Sequence, residues 1–142
     1  SGEIEAVKLA SQLAKEAGAK RVVDLSVSGP FHSSLLNPAE NALYKELKNI
    51  SVNFPEIPLV SNVTAKPVEN SEEIRKLLAY QVSHPVLWEK SIRYMLSENI
   101  DTFIEVGPGK TLTGFLKRID KTVTAYNVDD LTSLEYVLKS VA

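Results

Sequence analysis

Apolar side chains recur at helical spacing near the start of the chain, at Ala6, Leu9, Ala10, Leu13, Ala14 and Ala17. With Gly18 as a left-handed stop, this predicts a helix over residues 3–17 whose narrow, alanine-rich stripe suits close packing on a sheet. The pattern then changes period. "RVVDLSV" (21–27) is β-branched and apolar and is ended by Gly29-Pro30, so it reads as a strand. Asn37, Pro38 and Glu40 stand as cap, first helical residue and capping-box partner for a helix over "PAENALYKELKNI". "IPLVSNV" (57–63) reads as a second strand, followed by a polar excursion over 64–69. Asn70 and Glu73 repeat the cap pattern for a helix over about 71–82, and Pro85 restarts helix as "VLWEKSIRYML" after a break near Ser83-His84. "TFIEV" (102–106), a glycine-rich turn, a helix over 110–119, the strand "TVTAYNV" and a helix near 131–141 complete the order α-β-α-β-α-α-β-α-β-α.

Strands alternating with helices predict an α/β architecture with a mainly parallel sheet. Ligands collect beyond the carboxyl ends of such strands, where three loops fall: Ser28 to Asn37, Asn62 to Asn70, and Gly107 to Gly109.

Length and composition narrow what those loops can do. One hundred and forty-two residues suffice for one domain with a substantial core. Sixteen basic and 18 acidic side chains give a net charge of -2, so there is no basic field of the kind that binds nucleic acid. Zero cysteines and two histidines exclude disulfides and cysteine-rich zinc sites, and no metal site is expected. No apolar run reaches the roughly 18 residues that span a bilayer, and no basic-then-apolar leader opens the chain, so a soluble protein is expected.

His32, in "GPFHSSLL", is the first candidate for chemistry, because imidazole titrates near neutrality and serves most often as general base. A base needs a nucleophile. A serine acyltransferase on an α/β sheet uses a G-x-S-x-G elbow, and the chain contains none. Ser33 and Ser34 are chain neighbours of His32 and lie on no elbow, so the sequence carries half a dyad. "EVGPGKTL" invites a phosphate-loop reading, but the glycine required five positions before Gly109 is Ile104, and Pro108 lacks an amide. A stiff, tight turn is the favoured account. Gln81 and His84 flank the helix break, where a polar residue ordinarily caps freed backbone groups. Trp88 and Tyr94 read as core or interface aromatics. Asn62 closes a strand at a site-facing loop. Lys117 and Arg118 suit the negative end of their helix, and alternatively an acidic partner.

Together "GPFHSSLL", "VSNVTAKPV", "YQVSHPVLWEKSI" and "FIEVGPGKTLTGFLKRI" closely resemble, in order and over nearly the whole chain, the C-terminal half of malonyl-CoA:acyl carrier protein transacylases of type II fatty acid synthesis. The resemblance implies an α/β-hydrolase-like parallel sheet in the large domain and an inserted ferredoxin-like small domain. Residues 1–27 would complete the small domain, and residues 28–142 would belong to the large one. It implies a cytoplasmic enzyme that moves malonyl from malonyl-CoA to the phosphopantetheine thiol of acyl carrier protein by ping-pong acyl transfer, with no bound cofactor, nucleic acid or membrane. His32 matches the histidine that takes the serine proton, and Gln81 matches the glutamine whose main-chain carbonyl orients that histidine in place of a carboxylate. Phe31 matches a position lining the acyl pocket, where phenylalanine goes with malonyl selectivity. Asn62 matches a residue near the substrate, and Lys117 and Arg118 lie where the acidic carrier protein would dock.

The family's serine elbow, malonyl-binding arginine and oxyanion-hole glutamine have no counterpart in these 142 residues. The resemblance therefore implies a histidine-bearing portion that acts only beside the N-terminal half, the cut falling on an exposed small-domain loop. The alternative is a non-catalytic α/β module that binds acyl carrier protein or a nucleotide.

Overall fold

The computed structural model describes residues 1–141, which fall into two compact units, Ser1–Leu87 and the segment from Trp88 onward. The first unit contains helix α1 (Ile4–Glu16), a short 3-10 turn (Ser34–Leu36), α2 (Asn37–Leu47) and α3 (Ser71–Tyr80). The second contains α4 (Trp88–Ser97), β1 (Thr102–Val106), α5 (Thr111–Ile119), β2 (Thr124–Val128) and α6 (Leu131–Val141). The architecture is α/β, with six helices and one small parallel sheet among the described residues.

In the second unit the sheet follows the predicted strand-helix-strand pattern. β1 and β2 pair in parallel, in register from Thr102 with Thr124 to Val106 with Val128, and α5 supplies the crossover. Ile92, Leu116 and Val123 form the buried cluster, with Trp88, Met95, Leu96, Phe103, Ile119 and Ala125 packed around it. Ile92 is 1% exposed, so its truncation to alanine would remove about 2–5 kcal/mol of stability. The outward residues of β1 are apolar as well: Ile104 and Val106 are exposed. Apolar residues on both faces belong to a strand of the doubly covered kind.

The first unit departs from the sequence reading in two places. Residues 21–27 form no strand, and Val23, Leu25 and Val27 are exposed. A β-branched run is only half of a ladder, and among the described residues nothing pairs with it. Residues 57–63 contain a single bridging residue, Val60, opposite Pro67. The chain reverses at Ala65, whose φ is 55°, and pairs back on itself through Ser61 N–H to the Lys66 carbonyl (2.9 Å) and Val68 N–H to the Leu59 carbonyl (2.9 Å). Local antiparallel pairing therefore replaces the expected strand. Val68, Ile74 and Leu77 form this unit's buried cluster, flanked by Val52, Val63 and Tyr80.

Helix starts were predicted with mixed success. Asn70 caps α3 as expected, its side chain accepting from Glu73 N–H at 2.8 Å, and the Glu73 carboxylate reaches back to Glu69 N–H. Asn37 does not cap α2. The 3-10 turn runs directly into α2 at Asn37 with no side-chain cap bond, and the Glu40 carboxylate accepts from the Ser83 hydroxyl instead. α4 begins at Trp88 rather than Pro85: the Leu87 amide donates to the Asn62 carbonyl at 2.8 Å, and proline disfavours helix at His84 before it.

Candidate active site around His32

The helix break predicted near Ser83-His84 is the centre of the site. At a helix C-terminus the last carbonyls lack partners within the helix. Beyond α3 the chain makes a turn in which Gln81, Val82, Ser83 and His84 donate their amides back to carbonyls of residues 77–80. The carbonyls of Gln81, Val82 and His84 are left available, and His32 takes all three. Its backbone N–H donates to the Val82 carbonyl at 3.1 Å. Its Nδ1 donates to the Gln81 carbonyl at 2.9 Å and to the His84 carbonyl at 3.0 Å.

Carbonyl oxygens only accept, so the ring nitrogen facing two of them carries a proton in the neutral imidazole as well as in the cation. The tautomer follows from this: Nε2 holds the free lone pair. His32 is exposed, and it sits at φ 60°, in the left-handed region that a side chain enters at a cost of about 1–2 kcal/mol. The three bonds to the α3 turn hold it there. A histidine fixed at Nδ1 with Nε2 open is equipped to accept a proton and return it.

Asn62 joins the same cluster. Its Nδ2 donates to Gln81 Oε1 at 3.1 Å, so Gln81 is bound through its side chain to Asn62 and through its main chain to His32. A cavity of about 110 Å³ lies between residues 59–62 and α3, with Asn62 and Gln81 on its wall. Phe31 is 51% exposed, and its ring lies against Gly29, where a Cβ would sit 3.4 Å from it. Ser33 donates its hydroxyl to the Pro30 carbonyl at 2.6 Å, and Ser34 begins the 3-10 turn. Neither serine bonds to the His32 ring. His84 acts as a cap: its Nδ1 donates to the Tyr80 carbonyl at 2.9 Å while its ring stacks on Tyr80.

The glycine-rich turn of the second unit has a different occupant. The Glu105 carboxylate accepts from Leu112 N–H (3.0 Å), Thr113 N–H (2.8 Å) and the Thr113 hydroxyl (2.6 Å), closing the amino end of α5. The bond from the Thr113 hydroxyl, followed by those from the amides, holds the Glu105 carboxyl below its ordinary range. Asn127 Nδ2 donates to the Gly109 carbonyl at 2.6 Å, and Gly107 and Gly109 take φ of 141° and 87°. The Leu112 and Thr113 amides at the start of α5 are thus already engaged by a carboxylate of this chain. Lys117 and Arg118 are exposed in the last turn of α5. Among the described residues no cluster suits a metal ion, and no helix is long and apolar enough to cross a membrane.

The sequence did not single out the Val82 and His84 carbonyls, and it marked Glu40 only as a capping-box partner and Ser83 only as part of the helix break. The helix break itself was the one available signal for the carbonyls.

No family model matches the chain. The malonyl CoA-acyl carrier protein transacylase of Bacillus subtilis is 39% identical over 141 residues, 99% of this chain and 44% of that protein. Over nearly its whole length the chain is similar to the malonyl CoA-acyl carrier protein transacylases. The crystal structure of the Clostridium perfringens transacylase superposes with a TM-score of 0.92 at 44% identity, covering 99% of this chain and 44% of that one. A malonyl-transacylase solved in complex with a type II PKS acyl-carrier protein superposes with a TM-score of 0.94 at 39% identity, over 98% of this chain and 45% of that one. The chain thus spans somewhat less than half the length of the transacylases it matches.

Proposed function

We propose that His32 is the general acid-base of a Ser-His acyltransferase that moves malonyl from malonyl-CoA to the phosphopantetheine thiol of acyl carrier protein. The observation that carries the reading is the anchoring of His32 Nδ1 on the Gln81 carbonyl with Nε2 left open. The names of the relatives supply the substrates. In the first half-reaction Nε2 takes the proton of a serine hydroxyl as the serine oxygen attacks the thioester carbon. The C–S bond breaks, and the proton passes from Nε2 to the departing coenzyme A sulfur. The second half-reaction runs the same exchange with the carrier's thiol, releasing the serine. The Gln81 carbonyl does the orienting work that a carboxylate does in a full triad.

The serine lies outside these 142 residues, in the portion of the transacylase length that the chain does not span. Asn62 steadies Gln81 from its far side, Phe31 borders the acyl group, and exposed Lys117 and Arg118 offer positive charge to an acidic carrier protein. Residues 1–27 belong to a ferredoxin-like small domain and residues 28–142 to an α/β-hydrolase-like large one, in an enzyme of the cytoplasm. The test is transfer of malonyl from malonyl-CoA to acyl carrier protein. The chain alone should give none, and the chain together with the missing portion should restore it. Transfer by the chain alone, or its absence from the folded complete protein, contradicts the proposal.

A further inference from the structure

The side chain that disappoints as a helix cap does something else. Glu40 lies in α2, eight positions after His32 and joined to it through the 3-10 turn. Its carboxylate accepts from the Ser83 hydroxyl, and Ser83 stands between the two residues whose carbonyls receive His32 Nδ1. The bond thus ties the element that carries the imidazole to the turn that carries its acceptors. Both partners are sheltered: the Glu40 side chain is 14% exposed and Ser83 is 7% exposed. The hydrogens are consistent along the cluster. His84 Nδ1–H donates to the Tyr80 carbonyl and lies 3.0 Å from Ser83 Oγ, whose own hydrogen goes to Glu40.

From this we infer that Glu40 and Ser83 are positioning residues for His32. The clasp fixes the distance between the His32 loop and the Gln81-to-His84 turn. With the clasp cut, α2 and the end of α3 drift apart, the Nδ1 bond to two carbonyls loosens, and the neutral ring no longer keeps its proton on Nδ1 alone. The inference rests on the reading of His32 as the base, but the state of its ring is observable without turnover.

The test is nitrogen NMR of histidine-labelled protein, at a pH where imidazole is neutral, with the His84 signal assigned by its loss in His84→Asn. The wild-type His32 ring should carry its proton on Nδ1. Ser83→Ala and Glu40→Ala should shift part of the population to the other tautomer and speed exchange of the Nδ1 proton with water by roughly tenfold, the size of one lost hydrogen bond. Glu40→Gln, which keeps an acceptor oxygen, should hold the wild-type tautomer. Should Glu40→Ala fail to fold, Ser83→Ala carries the test, since it removes only a hydroxyl. Unchanged tautomer and exchange in folded Ser83→Ala overturn the positioning role. If the variants disturb the ring while complete protein with His32→Ala still transfers malonyl, the clasp stands and the base assignment falls.

Discussion

Two loops of this chain follow the same outline, glycine and proline beside a helix end, and they do opposite things with it. Just beyond α3 three carbonyls of the turn that closes the helix accept from His32, whose Nε2 remains open. At the start of α5 amides left over by the helix donate to Glu105, a strand residue whose carboxylate is then fully engaged. Both arrangements satisfy stranded backbone groups. Only the first leaves a titratable atom over, and that surplus separates a candidate site from a piece of scaffold.

Substitution sharpens the contrast. The largest effect is expected from His32→Ala: malonyl transfer by the complete protein should fall by about 10²–10⁴, the usual worth of a positioned acid-base, with thermal stability nearly unchanged. Transfer assays paired with melting curves check this. Glu105→Gln should do the reverse, lowering the unfolding midpoint by roughly a few degrees while leaving transfer within a few-fold of wild type. If Glu105→Gln abolished transfer without affecting stability, the two loops would have to exchange roles.

Acid should weaken the second loop. The Glu105 carboxyl is held below its ordinary range, so the folded state binds fewer protons there than the unfolded chain does. Its stabilisation is present above the unfolded value, about 4.3, and is lost as pH falls through that range toward the lowered value. The stability gap between wild type and Glu105→Gln should therefore narrow on acidification below about pH 4.3, as read by denaturant unfolding. Smaller still, Asn62→Ala should reduce transfer by roughly up to tenfold, since it removes one hydrogen bond acting through Gln81. Calorimetry with ATP or inorganic phosphate should show no saturable binding at the start of α5, where Glu105 engages the Leu112 and Thr113 amides.

What the sequence made legible follows from how local each signal is. The cap of α3 at Asn70, the stop of α1 before Gly18 and the β1-α5-β2 order depend on neighbours within a few residues, and all are present. Strands at 21–27 and 57–63 depend on a partner, which a β-branched run cannot reveal. The first has none among the described residues and the second pairs with the segment right after it. Glu40 misled for a related reason: asparagine followed three residues later by glutamate matches a capping box, yet the carboxylate crosses 43 positions to Ser83. His32 and Gln81 were singled out by motif, and the structure bonds one to the other. That the carbonyls of Val82 and His84 join them depends on the geometry of a helix end, which no spacing encodes.

The central claim is that His32, held by the α3 turn, activates a serine that this chain does not carry. Intact-mass and peptide-mass analysis of the complete protein after brief exposure to malonyl-CoA tests it most directly. The account predicts a malonyl ester on a serine outside these 142 residues, formed orders of magnitude more slowly in His32→Ala. An ester on Ser33 or Ser34, or one formed at an undiminished rate in His32→Ala, would contradict it.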